Sequence, residues 1–138
     1  MSEENKASFR RFIDEVVNKK NLAVIDELID PDMLDHNPAP DVPPGIEGMK
    51  QFMSAFVGAF PGLHSTLEYL VAEGDLVAGR MTTTVTHQGE FMGIPATNKK
   101  VTFSEMHIVR ISNGKAVDHC GISDNMSLMQ QLGVIPTG

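Results

Sequence analysis

The apolar residues of this chain change their spacing once, near residue 61, and this change restricts the fold more than any other feature. Before it, apolar side chains recur at helical spacing; after it, they alternate with polar ones, as in half-buried strands. The first part predicts helices over residues 2–19, 22–29 and 46–60, with a short extended segment at 33–36. The second part predicts strands over 63–72, 76–87, 101–111 and 116–123, and a short final helix over 128–132. Three helices followed by a meander predict an α+β fold, in which a curved antiparallel sheet packs around the helices.

Size and charge limit the kind of partner. With 138 residues the chain has the size of one domain, spanning residues 1–138. A net charge of −7 argues against nucleic acid and against anionic membrane surfaces, which favour basic proteins. No apolar run approaches the roughly 20 residues of a membrane span, and the polar N-terminus does not have the pattern of a signal peptide. We therefore expect a cytoplasmic protein.

The sequence carries no motif for a cofactor or a metal. Cys120 is the single cysteine, so it cannot form an internal disulfide, and a reducing compartment is the default. The cysteine and histidine clusters of zinc sites and the glycine-rich loops of nucleotide sites are both missing from the sequence. We therefore predict neither a cofactor nor a metal.

Two histidines on neighbouring strands are the candidates for proton transfer. Strand alternation places Glu105 and His107 on one face of the third strand, and His119 and Gly121 on one face of the fourth. Imidazoles titrate near neutral pH, so His107 and His119 can share the roles of acid and base. Glu105 becomes a candidate base if burial raises its pKa. The alternative is that each histidine is a hydrogen-bonded core residue without a catalytic role.

Soft apolar residues predict a cavity for a flat, hydrophobic, carbonyl-bearing ligand. Its predicted lining includes Met49, Met53, Phe56, Met81 and Phe103, although these residues at these spacings also suit an ordinary core.

Further polar residues are assigned by position. His36 and Asn37 precede Pro38 near the predicted mouth of the cavity, where they contact substrate or form a turn. Asp124 is a candidate catalytic carboxylate, or else the N-cap of the last helix. His64 and His87 are predicted to be surface residues.

The outer face of the sheet predicts a dimer. Thr82, Thr84 and Thr86 share one face of the second strand with Arg80. Such a row is either simply solvated or the contact between two stacked sheets, and we predict a homodimer through this face.

Several sequence segments resemble those of one family. They are Leu34-Asp-His-Asn-Pro, Ala59-Phe-Pro-Gly-Leu, Ala72-Glu-Gly-Asp, Thr86-His-Gln-Gly-Glu-Phe-Met-Gly-Ile-Pro-Ala-Thr, Asp118-His and Leu128-Met-Gln-Gln-Leu-Gly. Together they resemble the SnoaL-like polyketide cyclase (ester cyclase) family. The resemblance implies the nuclear-transport-factor-two-like fold, a cone-shaped α+β barrel, and a cofactor-free enzyme that closes rings by intramolecular aldol condensation.

The chain departs from the family pattern at the position that matters most. The resemblance implies an aspartate as acid/base two residues after His119, where this chain has Gly121. Tryptophans common in the family are replaced by Cys120 and Met81. The family pattern thus predicts that Gly121→Asp raises cyclase activity.

Three functions follow from these features. The first is cyclase-type or related isomerase or lyase chemistry that uses His107 and His119. The second is a non-catalytic protein that binds a small hydrophobic ligand. The third is an epoxide hydrolase, which needs paired aspartates bridged by an arginine. Arg80 and Arg110 alternate onto the face opposite His107, so the third ranks last.

Overall fold

A computed structural model describes residues 2–38, 41–91 and 93–135. Its helices are α1 (Ser2–Arg11), which continues as a π-helix over Phe12–Asn18, α2 (Ile25–Leu28), which follows a 3₁₀ turn at Leu22–Val24, α3 (Gly45–Ala59) and α4 (Asn125–Leu132). Its strands are β1 (Ile29–Asp35), β2 (His64–Glu73), β3 (Leu76–Thr86), β4 (Lys100–Ser112) and β5 (Lys115–Ser123). The predicted α+β class and the order of the elements are confirmed.

The strands form one curved sheet that does not close into a barrel. In the described part of the chain the strand order is β1-β5-β4-β3-β2, which leaves β1 and β2 at the two edges. β2 to β5 form the predicted antiparallel meander. The sheet is mixed, however, because β1 pairs in parallel with β5.

The extent of β1 corrects the predicted segment 33–36. The strand starts before Pro31, which lacks an N–H group and is tolerated because β1 lies at the edge of the sheet. Its pairing with β5 joins segments far apart in sequence, and local spacing does not reveal such pairing.

The predicted faces of β3 and β4 are confirmed. Along β3, burial alternates strictly from Val77 to Val85, so that Thr83 is buried while Thr82 and Thr84 are partly exposed. Along β4, Phe103 and Ile111 are buried, whereas Met106 and Ile108 are exposed on the outer face. The helices pack on the inner face, which also carries the core.

His87 corrects a prediction. It is fully buried rather than exposed, because the segment after β3 folds back over it. The backbone N–H of Thr97 donates to its Nδ1 at 3.3 Å, and its ring lies 5.5 Å from the ring of Phe60. His64 is exposed, as predicted.

Apolar side chains form a patch on the outer face of the sheet. Its most exposed members are Tyr69, Val71, Met106 and Ile122, with exposed fractions of 67, 63, 62 and 71%. The register places Met106 beside Ile122 and beside Arg80, which in turn lies beside Tyr69.

Among the described residues, no helix is both long enough and apolar enough to cross a membrane.

The homodimer stays a prediction, and this patch gives it a test. If two copies pack through the patch, Ile122→Lys is expected to convert a dimer into a monomer in sedimentation velocity, because a lysine at the centre of an apolar contact loses its hydration. Met126→Lys is the matched control, since Met126 is equally exposed at 67% but lies on α4. A native monomer, or an Ile122→Lys dimer as tight as the native one, would rule out this interface.

Candidate active site

A cavity of about 740 Å³ lies between the inner face of the sheet and the helices. Ten predicted site residues line it: Asn37, Met49, Met53, Phe56, Met81, Phe103, Glu105, His107, His119 and Gly121. Most of the remaining lining is apolar and comes from the helices, β1, the loop before α3 and the inner face of the sheet. The cavity therefore presents a few polar groups in an apolar enclosure, as small-molecule sites commonly do.

The two histidines meet because a glycine lies between them. His107 on β4 is opposite Gly121 on β5. His119, two residues before Gly121, is the diagonal neighbour of His107 on the same face. His107 leans over Gly121, so that its Nδ1 lies 2.9 Å from Nε2 of His119. The rings stack with centroids 5.2 Å apart. A Cβ atom at position 121 would lie only 2.2 Å from Nδ1 of His107, so this pairing requires glycine.

A carboxylate stands at each end of the histidine pair. Nε2 of His107 lies 3.3 Å from Oε1 of Glu105, and Nδ1 of His119 lies 3.1 Å from Oδ1 of Asp35. We call this continuous series Asp35–His119–His107–Glu105 the polar chain. All four of its side chains are at most 23% exposed.

Glu105 is held as an anion. Its carboxylate accepts hydrogen bonds from the hydroxyls of Thr83 and Ser123 as well as from His107. Burial raises the pKa of Glu105, but the hydrogen bond and charge of His107, with the two hydroxyls, outweigh burial and bring the pKa below its ordinary value of 4.5. A carboxylate that acts as a general base needs a raised pKa, whereas the pKa of Glu105 is lowered. Glu105 is instead placed to be the counter-ion of a protonated His107.

His119 is held neutral. Burial lowers its pKa below the ordinary value of 6.5, the charge of His107 lowers it further, and Asp35 compensates only in part. A carboxylate next to Nδ1 places the proton of the neutral ring on Nδ1, so Nε2 accepts from Nδ1–H of His107. Nε2 of His107 faces the ionised Glu105, to which an N–H group there would donate. With both ring nitrogens donating, His107 would carry the positive charge of the polar chain.

Sequence reasoning missed Asp35. β1 alternates so that Met33 and Asp35 face inward, and both line the cavity. The apolar Met33 two residues earlier was the signal that could have identified it. Asn37, as predicted, lines the cavity, and its Oδ1 accepts the backbone N–H of Gly121 at 3.2 Å.

Two predicted site residues lie away from the cavity. His36 is on the outer face, with a half-exposed ring 3.0 Å from Oδ2 of Asp118, and the structure does not place it against a cavity ligand. Asp124 is exposed and caps α4 by accepting the N–H of Ser127 at 3.0 Å. Of the two roles considered for Asp124, the structure shows the cap.

Arg80 and Arg110 point away from the polar chain. The guanidinium of Arg80 lies 5.8 Å from the centre of the Tyr69 ring, and Arg110 pairs with Asp75 at 2.6 Å. Neither residue lines the cavity, so neither can bridge carboxylates inside it as an epoxide hydrolase would require.

Comparison with known proteins gives matches over most of the chain. A family model described as SnoaL-like polyketide cyclase matches residues 7–132. Aklanonic acid methyl ester cyclase DnrD from Streptomyces peucetius is 30% identical over 112 residues, which cover 78% of this chain and 72% of DnrD. Its counterpart DauD from Streptomyces sp. (strain C5) is 29% identical over 115 residues, covering 80% of this chain and 67% of DauD. The crystal structure of AclR from Streptomyces galilaeus, a proposed hydroxylase, is 30% identical with a TM-score of 0.86, covering 99% of this chain and 100% of AclR.

Proposed function

Because the chain belongs to the SnoaL-like polyketide cyclase family, we propose that it is a cyclase that closes a ring in a hydrophobic carbonyl compound by proton transfer within its cavity. The observation that carries this proposal is the polar chain, which puts two imidazoles 2.9 Å apart, each beside a carboxylate, in an apolar enclosure. DauD and DnrD are named for aklanonic acid methyl ester. For this chain we propose a flat, hydrophobic β-dicarbonyl methyl ester as the substrate class, because it suits the apolar cavity.

The histidine pair supplies an acid and a base at once. In our proposal, the substrate replaces the hydrogen bond between the rings: Nδ1–H of His107 donates to a carbonyl oxygen, and Nε2 of His119 accepts a proton from the adjacent methylene. The resulting enolate carbon attacks a second carbonyl carbon and forms the new C–C bond. The alkoxide produced takes back the proton from His119, so the reaction needs no external acid. A positive charge fixed beside the developing oxyanion is the kind of stabilisation that such a reaction needs.

One observation favours the alternative of a non-catalytic binding protein. Every imidazole nitrogen of His107 and His119 already has a partner within the protein. If a ligand fills the cavity without exchanging these bonds, the polar chain is only structural.

Measuring binding and turnover in parallel separates the two functions. We expect His107→Gln and His119→Gln each to reduce turnover of a β-dicarbonyl methyl ester by about 100-fold or more, because each removes a proton-transfer group. Binding, followed by quenching of the ligand's fluorescence, should change only a few-fold. His64→Gln is the matched control, since His64 is exposed at the start of β2. Native protein that binds these esters without converting them would contradict the cyclase and support the binding protein.

A further inference from the structure

Two carboxylate–imidazole pairs join β1 to β5, one on each face of the sheet. Inside, Asp35 of β1 pairs with His119 of β5; outside, the order is reversed and His36 pairs with Asp118. Parallel pairing sets Asp35 directly beside His119, so each Asp-His dipeptide contributes one side chain to each face. The distances are similar, 3.1 Å inside and 3.0 Å outside. The chain therefore contains its own control for the inner pair.

The inner carboxylate is fixed in place, and its imidazole is connected to a second ring. Oδ1 of Asp35 also accepts the backbone N–H of Asn37 at 3.0 Å. The backbone N–H of His36 donates to the carbonyl of His119 at 2.8 Å, which ties the two strands together at this point. His119 continues to His107, whereas His36 is half exposed.

We propose that Asp35 is a positioning residue, which holds the proton of His119 on Nδ1 and thereby directs the Nε2 lone pair toward His107. This inference rests on the proposed function for its kinetic consequence, but not for its effect on the proton. With the lone pair on Nε2, His119 can accept a proton from a substrate that replaces His107. With the opposite tautomer, Nε2–H would oppose Nδ1–H of His107, and the base would be lost. The role resembles that of any carboxylate that orients a catalytic imidazole.

Charges around His119 set the pH readout. Asp35 of β1 and His107 of β4 face His119 directly, and Glu105 lies behind His107. Asp118, on the same strand as His119, acts on it from the other face of the sheet. Asp35 raises the pKa of His119 more than Asp118 does. Loss of either carboxylate should therefore lower this pKa further, and the loss of Asp35 should lower it more.

The experiment compares Asp35→Asn with Asp118→Asn. Long-range ¹H–¹⁵N NMR of the imidazoles reports the tautomer, and we expect native His119 to carry its proton on Nδ1. An amide at position 35 can donate to Nδ1 as well as accept from it, so Asp35→Asn should populate the Nε2–H tautomer. We expect its kcat to fall about 100-fold or more with KM changed only a few-fold, and the acid limb of kcat/KM to move to lower pH. Asp118→Asn should keep the tautomer, keep kcat within about twofold, and move the acid limb less.

Asp35→Glu keeps a carboxylate and is expected to keep the Nδ1–H tautomer. A native His119 with its proton on Nε2 overturns the inference without any variant. So does an unchanged tautomer in Asp35→Asn, or a changed tautomer with native kcat. If the native protein converts no ester but Asp35→Asn still changes the tautomer, the proposed function fails while the effect of Asp35 on the proton stands.

Discussion

Gly121→Asp is expected to separate His107 from His119 and to reduce turnover, not to increase it. A Cβ atom at this position would lie 2.2 Å from Nδ1 of His107 and 2.9 Å from Nε2 of His119. Real side-chain atoms do not approach so closely, so the His107 ring must move away. Its 2.9 Å hydrogen bond to His119 is then broken. We therefore expect the opposite of what the family pattern predicts, because the histidine pair fills the space that an aspartate side chain would use.

Two further variants separate crowding from charge. Gly121→Ala adds only the Cβ atom, and we expect it to lower the free energy of unfolding by about 1 to 3 kcal/mol, the usual cost of overpacking. Gly121→Asp should lower the free energy of unfolding at least as much as Gly121→Ala. It should also reduce turnover by about 100-fold or more, since it removes the proposed acid–base pair. Gly58→Asp is the matched control, because a Cβ atom there meets nothing within 4 Å. Urea denaturation and the ester assay measure both effects.

Higher turnover in Gly121→Asp, with an unchanged free energy of unfolding, would contradict this expectation. It would mean that the His107 ring moves aside at no cost and that a carboxylate at position 121 takes over the chemistry.

Most of the fold could be predicted from local spacing, because β2 to β5 are consecutive strands with one buried face. Alternation alone therefore places His107 and His119 on the inner face. A bulge in β5 limits this method: Ile111 pairs with Ala116 and Arg110 with Asp118, so Val117 is the extra residue. Ala116, rather than Val117, is buried and lines the cavity.

The parts that could not be predicted depend on contacts between distant segments. Asp35 belongs to the site only because β1 pairs with β5 across the whole meander. His87 is buried because the segment around Thr97 returns to it. The lowered pKa of Glu105 depends on three donors from β3, β4 and β5, and the residue's own burial gives the opposite direction. Spacing along the chain identifies faces, but it does not identify which neighbours complete a polar group.

Removal of the Glu105 carboxylate is expected to lower both stability and activity. In Glu105→Gln, the charged His107 would face a neutral amide in a site where residue 105 is only 15% exposed. Loss of one partner from a largely buried ion pair costs about 3 kcal/mol, and less if His107 loses its proton instead. If His107 loses its proton, the proposed acid is lost and turnover should fall about 100-fold or more. Glu73→Gln, at an exposed position of β2, is the matched control for both measurements.

The same variant should change how stability depends on pH. In the native chain, both His119 and Glu105 have a lower pKa folded than unfolded, so the unfolded chain binds more protons and acid favours unfolding. The contribution of His119 to the free energy of unfolding is complete above about pH 6.5 and is lost as the pH falls through the folded pKa of His119. The contribution of Glu105 is complete above about pH 4.5 and is lost as the pH falls through the folded pKa of Glu105. Glu105→Gln should lack the second decrease. If His107 loses its charge in this variant, the first decrease should shrink as well, because a neutral His107 no longer opposes the protonation of His119. If urea titrations from neutral pH to below 4.5 give parallel curves for Glu105→Gln and the native chain, Glu105 is not the counter-ion of this site.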